Sequence, residues 1–403
     1  MFELRTARAE EFPELLKMLN VVFFTEDDPA EKRDFLRLLP KLYKDQYKPW
    51  DNNYCAFENG KPVAAVGMYV DAMEIAGQPL ALGGIGNVAV DPSTRGKGYM
   101  KLTMDMAMDA MKARGCAIAA LGGDRHRYRY WGFDNGGVCG EANFSAVNLR
   151  HHFGNNELAA GWSAKPVEPG DTQALAQIQA FLEASPIHLK HNAAAMHDIL
   201  CSWREQPHAI WYNDQLAGFF TLNFNGKHAS QLQVCDWADS LEMPLRAVLS
   251  VLPEKSHVHM EIPLWRRDVL AMAEHLTENF ELSHTGQYCV LNWEATLRAL
   301  LALQAQCKTL LDGQLTVRIQ GYAGEETLKI AVQNGQPSVE PVGANCVRPA
   351  AASAISGEHS SPLLLNHLEA HSYFLGLVCA ARQCPVAQNW FPLPMKLFSV
   401  DTV

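Results

Sequence analysis

The stretch Gly86-Asn87-Val88-Ala89-Val90-Asp91-Pro92-Ser93-Thr94-Arg95-Gly96-Lys97-Gly98-Tyr99-Met100 constrains this chain more than any other. Val88, Ala89 and Val90 read as a strand, Asp91-Pro92 turns the chain, and a helix opens after Gly98. A helix N-terminus presents free N–H groups and the positive end of the helix dipole. A strand–turn–helix with glycines at 96 and 98 therefore builds an anion cradle from backbone. Glycine at both positions removes side chains that would block a pyrophosphate, and Arg95 and Lys97 can add positive charge. The dinucleotide fingerprint G-x-G-x-x-G fails at Lys101, and the P-loop fails because no Gly-Lys-Ser/Thr follows.

The surrounding residues alternate helical and strand patterns, as an α/β fold requires. Residues 10–19 and 31–42 have apolar positions at helical spacing, and residues 54–58 and 62–70 flank an Asn59-Gly60 hairpin turn. A glycine-broken strand at 81–90, a Met-rich helix at 101–114 and a buried strand at 116–121 complete the first cycle. After loop-like residues 161–170 a second α/β cycle begins, with helices at 172–183, 241–252 and 269–279. Its strands fall at 209–212, 215–224, 231–237, 257–262 and 287–292, without a glycine-rich turn. A third pattern follows Trp293: a helix at 297–303, strands at 314–320 and 326–333, a short helix at 361–369 and a Pro-rich end. At 403 residues the chain is too long for one core. Three units are expected, at 1–155, 156–292 and 293–403.

A composition of 48% hydrophobic and 19% charged residues is that of a soluble globular protein. No apolar run is long enough for a membrane span, and nothing at Met1 resembles a signal peptide. The ten cysteines form no C-x-x-C pair and read as reduced thiols, so a cytoplasmic location and no membrane partner are expected. The histidines show no ligand spacing, and the methionines at 104, 106, 108 and 111 read as core, so no metal is expected. Of the net charge of -10, residues 1–150 carry almost none, with 19 basic and 20 acidic residues. No basic face for nucleic acid is visible. The acidic remainder suits a small cationic substrate, and equally serves solubility.

A second motif, Tyr128-Arg129-Tyr130-Trp131-Gly132-Phe133, joins the first. Arg95-x-x-Gly98-x-Met100 and Tyr128-x-x-x-Gly132-Phe133 together resemble the signatures of the GNAT superfamily of acetyl-CoA-dependent N-acetyltransferases, with Met100 where a smaller residue is usual. Length, domain order and both motifs resemble the Eis-like (enhanced intracellular survival) family. That resemblance implies an N-terminal GNAT domain, a second degenerate GNAT domain and a C-terminal sterol-carrier-like domain. It implies acetyl-CoA contacts at Val88, Ala89, Val90, Arg95, Gly96, Lys97, Gly98, Tyr99, Met100, Lys101, Gly123 and Asp124. Arg125, His126, Arg127 and Arg129 contact phosphates or face water. Tyr128 is implied as the acid that protonates the departing thiolate. The cofactor strand offers Gly86 and Asn87, neither basic, and in the family the final carboxylate serves as base, which implies Val403. Glu26 and Asp27 stand where the family binds substrate; they bind an ammonium or cap the following helix. A homo-oligomer, a hexamer, is implied as well.

The acceptor is expected to be a primary amine of a small polycation, aminoglycoside- or polyamine-like. A protein lysine acetyltransferase and a lipid or sterol carrier using the residues beyond 293 are the competing functions.

Overall fold

A computed structural model describes residues 1–24, 34–155, 157–223, 228–235, 237–238, 240–253, 255–342, 362–377 and 384–403. Its first sheet is built from β1 (Phe2–Thr6), β2 (Asn53–Glu58), β3 (Lys61–Ile75), β4 (Gln78–Val90), β5 (Ile118–Leu121) and β6 (Asp134–Gly136). Asn59 and Gly60 both take positive φ, the two-residue turn whose twist matches its strands, and Glu58 pairs with Lys61. β3 and β4 run longer than their alternation predicts, because Ile187–Leu189 adds onto β3 from Met73 to Ile75. The helix Tyr99–Ala113 crosses from β4 to its parallel neighbour β5. It packs Met104, Met108 and Met111 into the core.

The first and second sheets exchange strands. Gly286–Val290 lies between β5 and β6, antiparallel to both. Cys139–Ser145, a strand whose polar alternation hides it in the sequence, pairs instead with His257–Pro263 and Phe280–Ser283. That second sheet continues through Ala229–Val234, Gln215–Leu222 and Gln206–Tyr212 to Trp162–Pro166. A cut at 155/156 would therefore separate strands from their neighbours, whereas no strand pairing crosses 292/293 among the described residues.

The third sheet orders Gln336–Pro341, Glu325–Gln333, Gly313–Gln320 and Leu363–Asn366. Leu315, Val317 and Ile319 alternate with outward residues and are buried with Leu297, Leu300 and Trp390. The chain's own side chains thus fill the face that an apolar tunnel would need. Two helices differ from expectation. Pro40 divides the described part of the 31–42 pattern into Phe35–Leu38 and Pro40–Tyr43. Leu363–Asn366 is a strand paired in parallel with Gly313–Gln320, and the helix begins only after Asn366, whose side chain caps it.

The final residues connect all three sheets. Leu393 N donates to Phe374 O at 2.8 Å, and Thr285 Oγ1 donates to Met395 O at 2.8 Å. Lys396 pairs with Glu261 of the second sheet, and Phe398 and Val400 enter the core formed by Ile178, Leu182 and Ile199. Residues 1–155 expressed alone would lose the strand that joins β5 to β6 and both neighbours of Cys139–Ser145. This fragment is expected to lack a near-UV circular dichroism signal and to unfold in urea without a sharp transition. A native-like cooperative transition would show that the exchanged strands are dispensable.

Candidate active site

β4 is paired on both sides for only part of its length. β5 follows it from Leu82↔Ile118 to Ile85↔Leu121 and stops, whereas β3 continues to Ala64↔Val90. The β3–β4 register slips between Ala65 and Gly67, where Asn87 takes φ 40. One extra residue on β4 forms a bulge, which bends the strand and re-aims its side chains. Before the bulge, Ile85 joins the methionines of the helix; after it, Val88 does so and Ala89 turns to the core around Phe12 and Leu15. Asn87 Nδ2 donates to Asn53 Oδ1 at 2.8 Å, and Asn53 Nδ2 donates to Pro49 O at 2.7 Å, pinning the bulge from below. Among the described residues no strand pairs with residues 86–90 on the β5 side, a backbone edge to which an extended ligand can add like a strand.

The cradle lies at the end of that edge. Asp91 Oδ1 accepts from Ser93 N at 2.8 Å and closes the turn. Gly96 and Gly98 take φ 85 and 82, and a Cβ on either would meet nothing within 4 Å. The helix Tyr99–Ala113 starts without a side-chain cap, so its first N–H groups are available to an anion. A cleft of about 870 Å³ opens here, lined by Val88, Val90, Arg95, Gly96, Gly98 and Met100. Tyr99, Lys101 and Arg127 also face it. An extended thioester with a pyrophosphate fits this combination of uncapped helix, bare glycines and free strand edge. The Lys97 side chain turns to Glu58, its Nζ 3.1 Å from both carboxylate oxygens. The Tyr99 hydroxyl donates to Glu58 too, and together they hold that carboxyl below its ordinary pKa.

β5 ends at Leu121, and Gly122-Gly123 leads to Asp124, which caps the short helix Arg125–Tyr128 through His126 N at 3.2 Å. Gly123 is a contact surface: a Cβ there would come within 2.7 Å of the Tyr128 ring. Gln287, on the exchanged strand, donates to Gly123 O at 2.6 Å. Tyr128 is buried, and that burial pushes its phenol above the usual value against the opposing influence of Arg127. Gly132 of the same motif takes φ 81, and a Cβ there would press on Cys289 Sγ and Tyr322 at 3.0 Å. Arg125 and Arg129 turn to buried Asp134, so only Arg127 of that basic run faces the cleft.

Val403 lies on the other face of β4. A Cβ on Gly84 would stand 2.6 Å from Val403 Cγ2, and one on Gly86 would stand 3.4 Å from its carboxyl carbon. Gly83, pointing oppositely, is fitted to Met111 of the helix. Two alternate glycines on a strand signal close approach by another chain segment. That was the readable trace of the tail's seat. Beside it is a cavity of about 220 Å³ whose walls include Lys41, Asp71, His191, Asp401 and Val403. Motif reading missed Lys41, Asp71, His191 and Asp401, which belong to no local pattern. Glu26 and Asp27 lie outside the described residues.

Residues 3–136 match the acetyltransferase (GNAT) domain family, a span ending just before the strand Cys139–Ser145. No protein of curated function matches the chain. Its fold is similar to that of a GCN5-related N-acetyltransferase from Anabaena variabilis, with a TM-score of 0.66, 13% identity and 100% of both chains covered. Eis1 from Mycobacterium abscessus aligns with a TM-score of 0.60, 13% identity and 100% of both chains covered. For a GCN5-related N-acetyltransferase from Kribbella flavida the values are 0.57, 18%, and 85% and 84% of the two chains. Among the described residues no helix is long and apolar enough to cross a membrane, and no group of three or more His, Cys, Asp or Glu could hold a metal.

Gly98→Val would place a β-branched side chain at φ 82, where strain costs about 1–3 kcal/mol, and into the anion's path. Acetyl-CoA affinity is expected to fall by about tenfold or more in calorimetric titration. Native affinity in this variant would remove the cradle assignment.

Proposed function

We propose that this chain, a GNAT-type acyltransferase whose residues 3–136 form the acetyltransferase domain, transfers acetyl from acetyl-CoA to a primary amine of a small polycation by direct attack. The observation that carries this reading is the seat of Val403 across Gly84 and Gly86, on the strand whose next residues have the free edge. In it the pyrophosphate rests on Gly96, Gly98 and the helix N-terminus, and the pantetheine arm runs along Val88 and Val90.

Attack by the amine nitrogen on the thioester carbonyl forms the C–N bond and expels the coenzyme A sulfur. Two protons must then move. One leaves the nitrogen, which becomes acidic as it bonds to carbon, and the Val403 carboxylate takes it. The other goes from the Tyr128 hydroxyl to the departing thiolate, which leaves as a thiol. An α-carboxylate with an ordinary pKa of about 3.3–3.7 cannot deprotonate a free ammonium at about 10 in water. Attack needs the neutral amine, so the ammonium first loses a proton to solvent, which dry surroundings ease by lowering its pKa; the carboxylate holds the amine in place and accepts the second proton as nitrogen bonds to carbon. Asp71 and Asp401, on the walls of the neighbouring cavity, are offset there by Lys41 and His191, so the cationic acceptor is drawn from the acidic balance of residues 151–403. Glu26 and Asp27, which the family resemblance gives as substrate-binding, are further carboxylates for the ammonium. The acceptor class rests on this charge, and a thiol-release assay over polyamines, aminoglycosides and lysine peptides tests it. Turnover confined to lysine peptides would replace the small-amine reading by protein acetylation.

Tyr128→Phe is expected to lower kcat by about 10²–10⁴-fold with acetyl-CoA affinity unchanged. The protonated phenol is the active form, and burial raises its pKa. Its contribution should therefore persist through the alkaline range and be lost only above about pH 10. A silent Tyr128→Phe variant would remove Tyr128 as the acid.

A tag appended after Val403 should abolish most turnover and spare acetyl-CoA binding, while the same tag placed before Met1 should be harmless. Full turnover with the C-terminal tag would refute the carboxylate as base.

A further inference from the structure

The tail that carries Val403 is gripped at three consecutive residues. Lys41 Nζ, from the helix Pro40–Tyr43, donates to Val400 O at 2.5 Å and to Thr402 O at 2.7 Å. Between these two carbonyls, Asp401 directs Oδ1 to His191 Nε2 at 2.7 Å, with both side chains almost fully buried. Thr402 O is one peptide bond from the Val403 backbone that packs over Gly86. An ending chain ordinarily frays. This one is fixed up to its penultimate residue.

The choice of a lysine is informative. Two carbonyl acceptors could be satisfied by an uncharged amide, and burying an ammonium is costly. Burial pulls the Lys41 pKa down to about 8, with Asp401 and Asp71 acting in the opposite direction. Around the ammonium stand Asp71 on β3, Tyr47, Lys190 and His191, and from the tail Asp401 and Val403. Burial raises the Asp71 carboxyl, opposed by Lys41. At His191 burial acts downward, but the Asp401 hydrogen bond and the charges of Asp401 and Glu183 together outweigh it and the imidazole is raised. A cation here serves the tail carbonyls and at the same time offsets the carboxylates gathered around Val403.

We propose that Lys41 is a positioning residue: it holds the tail carbonyls of Val400 and Thr402 so that the Val403 carboxylate stays over Gly84 and Gly86, beside the free edge of β4. The proposal rests on the reading of Val403 as the base. Lys41 acts through the tail and needs no contact with either substrate. An error of about 1 Å in the placement of a reacting group can cost about 10²-fold in rate.

The test uses the full chain with Lys41→Met, which keeps the stem and removes the donors, and Lys41→Arg, which keeps charge and donors. Three quantities are measured: kcat, the Kd for acetyl-CoA, and the rate at which carboxypeptidase releases Val403. Lys41→Met should lower kcat by about 10–100-fold, leave the Kd unchanged and speed the release of Val403. Lys41→Arg should restore part of the rate and of the resistance to digestion. In a chain lacking Val403, Lys41→Met should cost nothing further, because both changes remove the same placed group. Unaltered digestion in Lys41→Met would overturn the proposal, as would rate losses that multiply when the two changes are combined. If deletion of Val403 alone left turnover intact, the base reading would fall, and digestion would still decide whether Lys41 anchors the tail. A thermal melt establishes that each variant folds, and Lys41→Leu replaces Lys41→Met if the latter does not.

Discussion

The site depends on two strands ceasing to pair. β5 stops at Leu121 while β4 runs on to Val90, leaving backbone donors and acceptors exposed along a strand edge. Such an edge is an unmet demand for hydrogen bonds, which water or an extended ligand must supply. The buried Asn87–Asn53 contact holds the bulge that bends β4 there, and β3 supports the strand from its other side. At one end of the edge stands a helix terminus that wants negative charge. Across its start lies Val403. Tyr128 follows the end of β5, where the gap opens. The split of the sheet at this point is what leaves the edge of β4 open between the helix terminus and Val403.

Local chemistry was readable and distant chemistry was not. Gly96 and Gly98 announce a left-handed turn before a helix, so the cradle could be inferred from consecutive residues. Tyr128 and Gly132 likewise sit in one short motif. Lys41, Asp71, His191 and Asp401 meet only after three parts of the chain have folded together, and each alone reads as an ordinary charged or polar residue. Lys97 lies between two cradle glycines, yet its ammonium pairs with Glu58, a partner no local motif announces. The strand Cys139–Ser145 escaped because Gly140 and Glu141 break its apolar alternation. It is secured by partners more than a hundred positions away.

Close approach, rather than chain flexibility, explains several glycines around the site. Gly84 admits Val403, Gly123 admits the Tyr128 ring, and Gly83 admits Met111. In each case a methyl group would have to displace a neighbour the site depends on. The same glycines bring the tail and the Tyr128 ring up to β4 and β5 without intervening side chains. Their placement is as much a part of the site as the groups that carry charge.

The exchanged strand Gly286–Val290 also sets a temporal order. Leu121 waits for Gln287, and Asp134 waits for Tyr288, across most of the middle of the chain. During synthesis the first unit emerges with two strand edges that nothing yet made can cover. Native pairing between such distant residues is slow, and open edges invite mispairing while the chain grows. The first sheet must therefore remain open until the second is nearly complete, and the two must close together. A nascent chain of this design spends its longest exposure at the edges of β5 and β6, where a chaperone would have most to protect.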